Sequence, residues 1–245
     1  MRKSWNIGNV VLFLALCGGP FAAICEASTL QAQMNNPPSN NILENVYVGP
    51  YSFTNLSNSS SFQMICDDFK DETNFNPATY TVRSFDPNNL GGTVWGSMQN
   101  AAALYEQAGW LAAGMMTKTG FTQGEYHFAL WAVFDPADVI AWLKNFGDGA
   151  GICNDVFGAG NNCGSTNITG GLLLQAEQNY SSGNYSNMLI LTPPCTGPSC
   201  SEQEFIMFNA PDGGSASMYL GLAGIACMAA VYQSRRIARA EKPLS

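Results

Sequence analysis

The densest run of chemically capable side chains is Asp67-Asp68-Phe69-Lys70-Asp71-Glu72. Carboxylates are hard oxygen ligands, so calcium is the cation that Asp67, Asp68, Asp71 and Glu72 would suit. The run lacks the alternation and central glycine of an EF-hand loop, and Lys70 interrupts it. A turn with one Asp capping it is the plainer reading. A hydrolase built on Asp67 or Asp68 requires a second carboxylate facing it across a cleft. The chain contains no Gly-x-Ser-x-Gly, Walker or His-Glu-x-x-His motif. Its one histidine, His127, leaves few general bases, and nothing calls for a cofactor.

The cysteines carry the next chemistry. Cys17 and Cys25 fall in the N-terminal apolar region and Cys227 in a C-terminal one. In the body, Cys153 and Cys163 flank a Gly/Asn-rich stretch, and Cys195 and Cys200 flank Thr196-Gly197-Pro198-Ser199. Two local bridges are expected, as in a protein of an oxidising compartment. Each small loop closure contributes about 2–3 kcal/mol. Cys66 is then odd.

The chain has 245 residues with 10 basic and 18 acidic side chains, a formal charge of -8, and 46% hydrophobic residues. That is enough for one core. Only Lys70, Arg83, Lys118 and Lys144 stand against 15 acids between residues 28 and 210, a net of -11. Nucleic-acid binding, which needs a basic stripe, is excluded on this ground. Residues 1–27 read as a secretory signal, with Arg2 and Lys3 before an apolar run and small residues after it. Residues 216–232 are free of charge and are followed by Arg235, Arg236 and Arg239. As a helix they would rise about 26 Å, the expected length of a membrane span held by its basic end.

Between these ends, residues 28–41 read as a polar, flexible leader and 42–210 as one domain. Strands are expected at 46–53, at 62–66, where Phe62, Met64 and Cys66 alternate with polar neighbours, and at 79–85. Helical spacing of Leu104, Ala108, Leu111 and Met115 follows within 97–116, then an almost wholly apolar helix at 125–134. Asp135-Pro136-Ala137-Asp138 restarts a helix with a cap, an N1 proline and a capping-box acid. A short helix at 171–180 and strands at 187–192 and 204–208 complete the domain. The expected class is α+β, a helical middle flanked by antiparallel strands, with a signal helix and a transmembrane helix at the ends.

Two resemblances are specific. Pro211-Asp212-Gly213-Gly214-Ser215, followed by the apolar stretch and by Arg235 and Arg236, resembles the tripartite C-terminal sorting signal of PEP-CTERM proteins in its Pro-Asp-Gly-Gly variant, with Ala210 where Val is usual. The segments 46–51, 66–69, 127–131 and 189–193 resemble, in order, the conserved pieces of an uncharacterised exported PEP-CTERM family. The pair formed by Cys66 and the helix at His127 is also similar to the thioester domains of bacterial surface adhesins.

The first resemblance implies signal peptidase and an exosortase-like enzyme as partners, transient retention in the cytoplasmic membrane, and a final place at the cell surface or outside it. Extracellular polysaccharide is the implied contact there. The second puts Cys66 in the cysteine place and His127 in the glutamine place. Imidazole has no carbonyl for a thiol to capture, and Gln123 lies about one helical turn too early. The site is thus expected to be degenerate and silent. The function expected from the whole is an exported structural or adhesive protein. The alternatives are a carbohydrate- or polymer-binding module using Trp95 and Tyr47, and a hydrolase using an acidic pair.

Overall fold

The computed structural model describes residues 28–35, 42–70, 75–194 and 203–208. Six antiparallel strands close on themselves in the order β1-β4-β5-β8-β7-β6. They are β1 (Ser28–Met34), β4 (Tyr51–Asn55), β5 (Ser61–Cys66), β6 (Ala78–Ser84), β7 (Met188–Thr192) and β8 (Phe205–Phe208). β2 (Ile42–Leu43) and β3 (Val46–Tyr47) form a separate two-stranded ribbon. A barrel this small is filled by its own side chains. Phe205 lies at its centre, with ring centroids 5.2 Å from Phe53, 5.7 Å from Tyr80 and 6.2 Å from Tyr51.

The expected leader is therefore wrong over its first half. Residues 28–34 form a barrel strand, with Ala32 paired to both Asn55 and Ala78. Gln31 and Gln33 made the segment look solvated, but they alternate with buried Ala32 and Met34, the period of a strand with one wet face. The expected fold class is corrected in the same way. The strands on either side of the helical middle close a barrel, through pairings too distant in sequence for local pattern to show.

Among the described residues five α-helices pack on one another between β6 and β7 in the chain: α1 (Ala101–Met115), α2 (Gly120–Phe134), α3 (Pro136–Leu143), α4 (Gly149–Phe157) and α5 (Gly171–Asn179). α2 is buried at every position from His127 to Phe134 and touches the other four helices. α1 packs on it closely because Gly114 faces the Tyr126 ring. A Cβ there would come within 2.5 Å of that ring. The Asp135 side chain accepts from the Asp138 N–H at 3.3 Å with Pro136 in the first turn, satisfying an orphan donor as the sequence requires. α4 runs into the Gly/Asn-rich stretch that follows Cys153 and is not among the helices expected from the sequence. Its buried Ile152, Cys153, Val156 and Phe157 nevertheless hold helical spacing. A disulfide joins Cys153 of α4 to Cys163 of the next loop.

The expectations for the two ends need correction. No helix among the described residues is long and apolar enough to cross a membrane. Membrane anchoring, processing by signal peptidase and an exosortase, placement at the cell surface and the structural or adhesive role all depended on such a span, and they are withdrawn together. Residues 1–27, the segment 216–232 and the motif Pro211, Asp212, Gly213, Gly214, Ser215, Arg235 and Arg236 lie outside the described residues. So do Cys195 and Cys200.

Candidate functional site

β5 ends on Cys66, and the chain turns sharply after it. The Cys66 thiol donates to the Asp68 carbonyl at 2.9 Å, and the Gln203 amide donates to the same oxygen at 2.9 Å. His127 arrives from the buried face of α2. Its Nδ1 accepts the Gly49 N–H at 2.8 Å, so Nε2 carries the ring proton and donates it to the Cys66 carbonyl at 2.8 Å. Gly49 has a φ of +92°, a left-handed conformation that glycine adopts without strain and that aims this N–H at the ring. Trp131 stacks on the imidazole with centroids 3.9 Å apart.

This arrangement brings His127 against the backbone of Cys66. The imidazole faces the cysteine's carbonyl oxygen and not its sulfur, and both ring nitrogens are engaged. Burial pushes the imidazole down to about 3, with the Cys66 carbonyl bond acting weakly the other way, so the ring is neutral. Burial, then the charges of Asp68 and Asp67, pushes the Cys66 thiol well up. The attacking species of a nucleophilic cysteine is the thiolate, and here it is suppressed. The native protein should therefore leave Cys66 unmodified by iodoacetamide at pH 8 and release it to full alkylation in denaturant. Mass spectrometry reads the difference, and rapid native labelling would contradict the geometry. Gln123 takes no part. Its side chain donates to the Lys118 and Met115 carbonyls in the turn between α1 and α2.

The acidic run is divided by the fold. Asp68 Oδ1 accepts the Lys70 N–H at 3.0 Å and so caps the turn. Lys70 Nζ reaches Asp135 at 2.6 Å and Asp138 at 3.2 Å, tying the turn to α3. Asp71 and Glu72 lie outside the described residues. Among the described residues no three His, Cys, Asp or Glu side chains gather as a metal site.

Asp67 points inward and is fully buried, with no donor to either carboxylate oxygen. It faces Glu204, a residue that the sequence did not single out. Glu204 accepts from Thr192 Oγ1 at 2.6 Å, from the Val94 N–H at 2.9 Å and from the Tyr105 hydroxyl. Both carboxyls are pushed up. Asp67 rises well above the ordinary range through burial and then the Glu204 charge, and Glu204 rises to about 7 chiefly through burial. Glu204 has three donors and Asp67 has none, and burial together with their mutual charge favours the protonated form of the pair. This pair is enclosed in the core. It does not flank a cleft, as a hydrolase's carboxylates must, and the hydrolase expectation fails for that reason.

The open feature is elsewhere. A cleft of about 670 Å³ lies beside the β2–β3 ribbon, α2 and α3, with Met34, Tyr47, Tyr51, Phe69, Trp131 and Trp142 among its walls. Lys70, Asp138, Asn45, Asn145 and Gln203 supply its polar groups. Trp142 is fixed by its indole N–H, which donates to the Glu44 carbonyl at 3.0 Å. Of the two aromatic residues expected to meet a ligand, Tyr47 lines this cleft. Trp95 does not: it lies flat on Phe134 with centroids 5.2 Å apart. Phe69, Trp142 and Gln203 were missed because they converge from three separate stretches of the chain.

No protein-family model, curated protein or solved structure matches this chain.

Proposed function

We propose that the protein is a binding module without enzymatic activity, which takes a small organic ligand into the aromatic cleft between the β2–β3 ribbon and α3. The observation that carries this reading is the cleft itself. Its volume falls in the range of small-molecule sites, and its walls set five aromatic side chains beside five polar or charged ones. The two sets of groups that could have done chemistry are both disarmed by burial: Cys66 with His127, and Asp67 with Glu204. The resemblance to thioester domains fits this reading in reduced form. It is supported by the meeting of a strand-end cysteine and a helix residue in the glutamine place, and we read that meeting as a silent derivative which now braces the cleft's floor through Trp131.

The test is a fragment titration of the full-length chain, followed by tryptophan fluorescence and by protein-observed NMR. Fragments should perturb Trp131 and Trp142 at millimolar or lower concentration. Ala141 is exposed and lines the cleft, so Ala141→Phe should fill it, abolish those perturbations and leave the melting temperature almost unchanged. Binding that survives in Ala141→Phe with the same shifts would overturn the proposal.

A further inference from the structure

We infer that the ligand of this cleft is an organic ammonium ion, an inference that rests on the cleft being the binding site. Three observations point to a cation. The first is the set of the walls. The Phe69 and Trp142 rings stand almost perpendicular, at 84° with centroids 5.9 Å apart, and Trp131 lies 4.9 Å from Phe69 at 48°. The three rings pack on one another as one aromatic wall of the cleft, and a π-face turned to the cleft attracts a compact cation.

The second observation is charge. Asp135 and Asp138 share a single counter-charge, the Lys70 ammonium, so this group holds one negative charge in excess, and Asp138 is the carboxylate that lines the cleft. The third is that this ammonium is itself a precedent. A primary amine carried by the residue next to Phe69 already docks on the two carboxylates, and hydrogen bonds to Asp135 and then Asp138 hold it charged more firmly than usual. The Lys70 side chain is 55% exposed, so it can swing into solvent and give up its place. The whole chain carries a formal charge of -8, and it therefore draws cations and repels anions.

The deciding experiment compares choline with 3,3-dimethylbutan-1-ol, its neutral isostere, by calorimetry on the full-length chain. Choline should bind at least about tenfold more tightly. The preference should shrink in Asp138→Asn and grow in Lys70→Gln, which removes the internal competitor. Both substitutions are on exposed side chains, and the melting temperature checks that the variants are folded. Equal binding of the two probes would overturn the ammonium inference and leave the cleft reading standing. So would neutral aromatic fragments that bind where choline does not. If neither the probes nor the fragments bind, the cleft reading itself falls. Choline binding that Ala141→Phe does not affect would place the cation elsewhere and overturn the inference.

Discussion

Asp67→Asn should make the protein more stable at pH 8, and it should flatten a loss of stability that the parent shows as pH rises. The reason lies in the pair's proton. In the folded chain Asp67 and Glu204 face each other out of water, and both carboxyls are pushed up, Glu204 from 4.5 to about 7. The folded state thus binds a proton that the unfolded chain has released. Stability from this source is complete below about pH 4 and declines as pH rises through the raised folded range, which for Glu204 lies at about 7. An asparagine at 67 supplies a permanent N–H to Glu204, whose other donors are already in place. The gain at pH 8 should be about 1–3 kcal/mol, or roughly 3–8 °C in melting temperature. Thermal unfolding at pH 5 and pH 8, followed by circular dichroism, is the measurement. An unchanged slope in the variant would show that Asp67 contributes nothing to this pH dependence.

The second large effect sits at His127 and has the opposite sign. The folded imidazole is neutral and pushed down to about 3, whereas in the unfolded chain it takes up a proton below about 6.5. Stability is therefore present above pH 6.5 and is lost as pH falls toward 3, by on the order of 4 kcal/mol for this ring. His127→Gln should remove that acid dependence and remain folded, because an amide can accept from Gly49 and donate to the Cys66 carbonyl. His127→Leu also loses the acid dependence, but it orphans a buried N–H and a buried carbonyl. It should cost about 2–4 kcal/mol at pH 7. Urea unfolding across pH 4–8 separates the two variants. A Leu variant as stable as the parent at pH 7 would show that the imidazole's hydrogen bonds contribute nothing.

Local pattern in the sequence reaches some of this and stops at a physical boundary. The alternation of Phe62, Met64 and Cys66, the spacing of Leu104, Ala108, Leu111 and Met115, and the cap at Asp135 are visible because each is settled within a few residues. β1 was hidden because its outward glutamines outweigh its two buried positions, Ala32 and Met34. α4 was hidden because glycine masks its spacing. The pairing of Cys66 with His127 came from resemblance, since 61 residues separate them and no period links them. Glu204 looked like an ordinary charged residue at the head of a strand. Its meaning appears only when β8 pairs with β5 and lays it against Asp67. The cleft is of the same kind, a product of three segments that no single stretch foretells.

Closure of the barrel has a consequence for how the molecule keeps company. β1 pairs with β6 on one side and β4 on the other, so a single short segment completes the ring of hydrogen bonds. While it is in place, the ring offers no free edge on which a foreign strand could template itself. Without it, two ragged borders rich in Tyr, Phe and Thr would stand open. The seven residues of β1 thus act as the latch that keeps neighbouring copies from zipping together.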